Sequence, residues 1–170
     1  IGPSGAGKST LLSAIGGFFA PQSGRVLWQG EDITGAEPGA RPITTVFQDQ
    51  NLFPHLTIAQ NLGLGISPNL RLPAQDHVRI DAALDRTGLG GFGPRKPAQL
   101  SGGQQSRAAL ARALLRDKPI LLLDEPFAAL GPALKAEMLG LVSDLAQENT
   151  LTVLMVTHDP KDALAFAPLT

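Results

Sequence analysis

The 170-residue sequence has no cysteine. That excludes disulfides and thiolate-ligated metals, and it fits a reducing compartment. It also has almost no net charge: 14 Lys and Arg against 15 Asp and Glu give a formal −1. No basic field marks nucleic acid as a partner. No apolar run approaches the roughly 20 residues that a bilayer-spanning helix needs. The longest runs, Ile120 to Leu123 and Val153 to Val156, read as buried strands. No signal peptide opens the chain. There is no initiator Met, and Ile1 already abuts a glycine-rich loop. The sequence therefore reads as a fragment of a longer chain. What is present, 43% hydrophobic and 17% charged residues, is enough for one folded domain with a core.

Gly and Pro punctuate the chain and divide it into short elements. Leu11, Leu12 and Ile15 predict a helix over residues 9–19,. Arg25 to Gln29 and Ile43 to Phe47 read as strands. Thr57 is placed to cap a helix that starts at Ile58,. Val78, Ile80, Ala83 and Leu84 predict an amphipathic helix over residues 77–87. Ser101 is placed to cap another helix, which runs to about Arg116. Ile120 to Leu123 is a continuous apolar strand of the kind buried on both faces of a parallel sheet,. A helix over residues 133–148 and a strand from Leu151 to Val156 follow. Alternating strands and helices predict an α/β fold with a parallel core, and residues 57–116 read as a helical insertion into it,.

Three segments carry chemistry. Gly2-Pro3-Ser4-Gly5-Ala6-Gly7-Lys8-Ser9 matches G-x-x-x-x-G-K-[ST] in full,. Glycines let several backbone N–H groups point inward at a phosphate, and a helix N-terminus adds a positive dipole end. Lys8 supplies a point charge for the β- and γ-phosphates, and Ser9 a hydroxyl ligand for Mg²⁺,. The strand ending at Leu123 is followed by Asp124 and Glu125. It delivers them to the sheet's carboxyl edge, where ligands sit in open α/β folds. Asp124 is placed to hold Mg²⁺, and Glu125 to act as general base for an attacking water,. Leu100-Ser101-Gly102-Gly103-Gln104 makes a second anion-receptive helix tip, with no obvious ligand shared with the first inside one chain,.

With these segments in this order, the sequence resembles the ABC-type ATPases. A chance match to the five residues Leu100 to Gln104 is expected on the order of once in 10,000 such chains. The resemblance implies a P-loop NTPase core with a RecA-like parallel sheet. It also implies a helical subdomain at about residues 57–116, between Gln48 and Leu100, with further strands before Ile1 and a C-terminal end after Thr170. ATP and Mg²⁺ are the implied ligands. Gly2 to Ser9, with Thr10, hold the nucleotide, and Ser9, Gln48 and Asp124 the metal. Glu125, His158 and Gln48 surround the γ-phosphate and the water. Ser101, Gly102, Gly103 and Gln104 act in trans, on ATP held by a second copy of the chain in a head-to-tail dimer. His55 and His77 are left as solvent or interface residues.

The resemblance further implies a transmembrane permease as partner, received around Gln48 to Thr57, and through it a periplasmic solute-binding protein. The chain is then peripheral, on the cytoplasmic face of the inner membrane. Asn51 to Thr57 is similar to importers of iron, sulfate, molybdate, polyamines or thiamine. Residues 59–72 and 119–134 are similar to the thiamine-importing branch. Two departures stand out. Ala128-Ala129-Leu130-Gly131 replaces the family's Ser-Ala-Leu-Asp, and Gln105-Ser106-Arg107 its Arg-Gln-Arg. The loss of that Asp keeps a catalytically weak structural half open as an alternative. DNA-repair and chromosome ATPases of the same type carry coiled-coil or zinc insertions, whereas here only a compact stretch separates Ser9 from Leu100.

Overall fold

The computed structural model describes residues 1–2, 5–47, 49 and 51–166. A three-stranded parallel sheet forms its centre, in the order β3 (Ile43–Val46), β4 (Ile120–Asp124), β5 (Thr152–Val156). Ile43 pairs with Ile120, and Asp124 pairs with Val156. Strand β4 is apolar throughout because both its faces are covered. Leu121 and Leu123 pack against α4 (Gly102–Leu114) and α5 (Pro132–Glu148), with Ala109, Leu110, Met138 and Val142. Ile120 and Leu122 face the other way, onto Leu12 of α1 (Lys8–Gly16). Outside the sheet, β1 (Leu27–Trp28) and β2 (Glu31–Asp32) form a small antiparallel hairpin. Its turn residues, Gln29 and Gly30, have φ of +50° and +88°, the signature of a type I′ turn.

Between β3 and β4 the chain builds α2 (Ile58–Ile66), α3 (Ala74–Arg86) and α4 around a second apolar cluster that includes Ile58, Leu62, Ile80, Leu84 and Leu115. Helix α2 starts at the predicted cap. The Thr57 hydroxyl accepts from the Gln60 N–H, and Gln60 Oε1 accepts from the Thr57 N–H at 2.9 Å. Where α2 crosses α4, a Cβ on Gly65 would lie 2.5 Å from the Arg112 carbonyl oxygen, so only glycine permits that approach.

The boundaries differ from expectation in informative ways. Helix α1 ends at Gly16 rather than residue 19, because Gly17 adopts φ +85° and returns its N–H to Ala14 O. Leu11 is 61% exposed despite its helical spacing. Helix α3 begins at Ala74, and Val78 is 69% exposed, on the side away from Ile80 and Leu84. The strand expected over Arg25 to Gln29 contracts to the two residues of β1. Strand β5, expected as a buried strand, is only partly buried. It pairs only with β4 among the described residues, and Leu154 is 41% exposed. A terminal helix, α6 (Pro160–Phe166), follows it without having been predicted. No helix among the described residues is long and apolar enough to cross a membrane.

Candidate functional site

The site sits where β4 and β5 end and α1 begins. The loop entering α1 passes through Gly5 and Gly7 at φ of +80° and +82°, conformations that a Cβ would strain. Gly7 is the N-cap of α1 and offers no side chain to the first turn. The helix's leading N–H groups and dipole are thus left for a ligand. Lys8 Nζ donates to Gly2 O at 2.8 Å, which folds the lysine back over the loop. Pro3 and Ser4, expected in this cradle, lie outside the described residues.

Ser9 stands in the first turn of α1 and Asp124 at the last position of β4. They are 115 residues apart in sequence, yet Ser9 Oγ donates to Asp124 Oδ1 at 2.9 Å. A hydroxyl and a carboxylate in contact, both reachable from solvent, are the hard oxygen donors that a divalent cation accepts alongside phosphate and water. Among the described residues, no cluster of three or more His, Cys, Asp or Glu forms a metal cage.

Glu125 follows at φ +45°, a left-handed conformation uncommon for a residue with a side chain. Its backbone N–H still donates to Val156 O at 3.0 Å, so the turn is fastened to β5. The turn sends Glu125 away from Asp124. Its Oε2 lies 3.1 Å from His158 Nδ1, just past β5. A carboxylate oxygen can only accept from this ring nitrogen, so the pair calls for a proton on Nδ1. Two neighbouring acids, at adjacent positions with opposite partners, thus form two different pairs.

The second helix tip is built as expected in part. Ser101 caps α4 by accepting from Gln104 N at 3.4 Å, and Gln104 Oε1 accepts from Ser101 N at 2.9 Å. The Gln104 side-chain oxygen is therefore engaged in a capping box. Gly103 is buried, and a Cβ there would come 2.4 Å from Leu134. Ser101 and Gly102 remain exposed. Helix α1 packs on one face of the sheet and the body of α4 on the other, while Leu100, beside the α4 tip, belongs to the second apolar cluster.

Gly131, the departure after the acid strand, is the N-cap of α5 at φ −65° and ψ 158° and makes no side-chain cap. A Cβ there would meet nothing within 4 Å, so neither conformation nor space requires glycine. Gln105 donates to Pro97 O and Leu100 O, at 3.1 and 3.2 Å, which braces the loop before the helix tip. His55 is exposed against the Phe53 ring, and His77 is exposed on α3. Gln48, expected at the metal and the water, lies outside the described residues.

Sequence reasoning missed the groups behind the Glu125–His158 pair. Lys135, Thr157, Asp159 and Asp162 form one polar cluster there. The only signal was the adjacency of Thr157 and Asp159 to His158. Their partner on α5 lay out of reach of any spacing rule.

Against known proteins, a family model described as ABC transporter matches residues 1–128. The chain is 70% identical over 167 residues to the thiamine import ATP-binding protein ThiQ of Cereibacter sphaeroides, covering 98% of this chain and 72% of that one. It is 54% identical over 168 residues to ThiQ of Salmonella paratyphi A, covering 99% and 72%. Among solved structures it is similar to the ATP-binding cassette MJ0796, in a dimeric post-hydrolysis state bound to ADP and Pi. The TM-score is 0.83 at 36% identity, over 96% of this chain and 75% of that one. With a model spanning most of its length and relatives more than half identical along nearly all of it, the chain belongs to the ABC transporter family.

Proposed function

We propose that this chain is the ATP-hydrolysing subunit of a thiamine importer, and that Glu125 and His158 act on the γ-phosphate end of ATP. The observation that carries this reading is the pairing at the sheet edge: Ser9 with Asp124, and Glu125 with His158, on strands that end side by side. The substrate assignment rests on the names of the relatives, which are thiamine import proteins.

ATP lies with its phosphates on the loop from Gly2 to Thr10. The α1 N-terminus and Lys8 balance their charge. Ser9 and Asp124 fit Mg²⁺ by donor chemistry, with Gln48 as a further proposed ligand. Held there by Ser9 and Asp124, the ion would supply positive charge that offsets the charge of the phosphates. Glu125 accepts a proton from the water that attacks phosphorus, the β–γ bridge bond breaks, and ADP and phosphate leave. His158 holds Glu125 through Nδ1–H and offers Nε2 to the phosphoryl oxygens.

Ser101, Gly102, Gly103 and Gln104 complete the pocket of a second copy in a head-to-tail dimer. Residues 57–116 form the helical subdomain. Beside it, a groove of about 410 Å³ lined by Phe47, Phe53, Leu64, Arg112 and Arg116 is the seat proposed for the permease. The chain then works at the cytoplasmic face of the inner membrane.

Turnover of the intact protein with MgATP tests the reading. Glu125→Gln should lose turnover and accumulate an ATP-bound dimer. Unchanged phosphate release would remove Glu125 from its role.

A further inference from the structure

Behind the Glu125–His158 pair lies a polar cluster that the mechanism above does not use. Lys135 is in the first turn of α5. Its backbone N–H donates to Gly131 O at 2.9 Å. Its ammonium reaches the other way, 2.6 Å from Asp162 Oδ2 and 3.3 Å from Asp159 Oδ2. The Asp162 carboxylate, on a residue only 6% exposed, also accepts from Thr157 Oγ1 at 2.8 Å. Thr157 Oγ1 in turn accepts from the Asp159 N–H at 3.1 Å. Asp159 Oδ1 accepts from the Lys161 N–H at 3.0 Å. The residues on both sides of His158 are thus fastened to one ammonium, and only His158 between them projects outward.

We infer that Lys135 is a positioning residue for ATP hydrolysis, holding the turn that presents His158 to Glu125 through Asp159 and Asp162. The inference rests on the proposed role of Glu125 and His158. It follows from charge and burial. Without the ammonium, two carboxylates face each other, and one of them is almost wholly withdrawn from water. That arrangement is unfavourable until the turn shifts or a proton is taken up. Burial opposes the Lys135 charge, but the bonds to Asp162 and Asp159 outweigh it and raise its pKa. The Asp159 carboxyl is held below its ordinary range by the Lys161 N–H and by Lys135. Both directions favour the charged network. A shift of the turn moves the imidazole relative to Glu125, and misplacement on the scale of an ångström costs orders of magnitude in rate. Because Lys135 also bonds Gly131 O through its backbone, the segment after Glu125 and the segment bearing His158 share this anchor.

The test is a double-mutant cycle in the intact protein, measuring phosphate release with MgATP. Lys135→Met should lower kcat about tenfold with the KM for ATP within about twofold, and Lys135→Arg should recover most of the loss. In a His158→Ala background, followed as slow release over hours, Lys135→Met should change the rate less than about twofold, since the step it serves is already gone. Equal fold-losses in both backgrounds, or an unchanged kcat, would overturn the inference. If Lys135→Met fails to fold, Asp159→Asn removes one arm of the network and leaves Asp162. Its smaller kcat loss should likewise vanish without His158, and persistence of that loss would overturn the inference. If instead the wild type hydrolyses ATP but His158→Ala and Glu125→Gln do not slow it, the functional reading itself fails and takes this inference with it.

Discussion

The buried guanidinium of Arg41 offers the sharpest check on how helix α1 is held. Arg41 is 1% exposed. It donates to four main-chain carbonyls: Ala14 at 3.0 Å, Ile15 at 2.6 Å, Thr34 at 2.6 Å and Ala36 at 2.9 Å. Two of these belong to the last turn of α1, where unsatisfied carbonyls and the negative dipole end collect. The other two come from the segment that follows the β1–β2 hairpin. One side chain thus closes the C-terminus of α1 and ties it to the loop that leads into β3. Gly17 belongs to the same device: a Cβ there would lie 2.5 Å from Arg41 Nε.

Arg41→Met keeps much of the volume and removes every donor. Ala14 O retains the Gly17 N–H at 3.2 Å, so the loss falls mainly on the other three carbonyls. An orphaned buried acceptor costs about 1–3 kcal/mol. Water entering the vacated space relieves part of this, which leaves a net loss of about 4 kcal/mol. For a domain of this size that lowers the melting midpoint by roughly 10 °C. Arg41→Lys, a point charge with no planar fork, should recover less than half. Thermal unfolding of the intact protein, with and without nucleotide, is the assay. A drop of less than about 2 °C in Arg41→Met would refute the claim that these four bonds hold α1 in place.

Gly131→Asp should be accommodated without strain, cap α5 and place an acid at its positive end. Together these give about 1 kcal/mol, read as a small rise in melting midpoint, with turnover preserved or raised; a severalfold loss of turnover would contradict it. Gly65→Ala should force α2 off the Arg112 carbonyl and cost about 1–3 kcal/mol, measured by denaturant unfolding. The stability difference between wild type and Lys135→Met should be largest from about pH 5 to 9. The raised Lys135 pKa keeps its contribution intact below its unfolded value and loses it as pH climbs through the folded one. The lowered Asp159 pKa loses its contribution as pH falls through the folded value,. Finally, Lys8→Ala and Ser101→Arg chains, each inactive alone, should recover about a quarter of wild-type turnover when mixed in equal amounts. Half of the random dimers are mixed, and one of the two sites in each is intact; no recovery would mean that both groups serve the same chain's ATP.

What could be read from the sequence was what local pattern encodes. Thr57 and Ser101 announced their helices because a cap is a short-range interaction, and both cap as expected. Ile120 to Leu123 announced a central strand because burial on both faces leaves no polar position. Asp124, Glu125 and His158 were legible because they lie at or just past the ends of two strands at the same sheet edge. What escaped depends on neighbours distant in sequence. Val78 fits an apolar helical spacing yet faces outward, since the packed side of α3 was set by α2 and α4. Leu154 fits a buried strand, but only β4 pairs with β5 among the described residues. Arg41 and Lys135 drew no reading from the sequence. Nothing local distinguishes either from a solvated side chain.

The two groups that escaped have a common logic. The groups proposed to react stand at element ends, where backbone N–H groups and exposed side chains meet solvent and a ligand can enter. Ends are also where elements are least constrained, so each needs an anchor drawn from elsewhere in the chain. Arg41 anchors the far end of the helix that carries Lys8 and Ser9, and Lys135 anchors the turn that carries His158. Both are cations that gather oxygens: carbonyls in one case, carboxylates in the other. A guanidinium suits the first, because its planar fork reaches several fixed main-chain acceptors without a counter-ion. A flexible ammonium suits the second, because it bridges two carboxylates on one short turn. Exchanging the two cation types should therefore be tolerated at Lys135, where the acceptors are charged side chains that can follow. It should fail at Arg41, where the acceptors are main-chain carbonyls fixed by the fold.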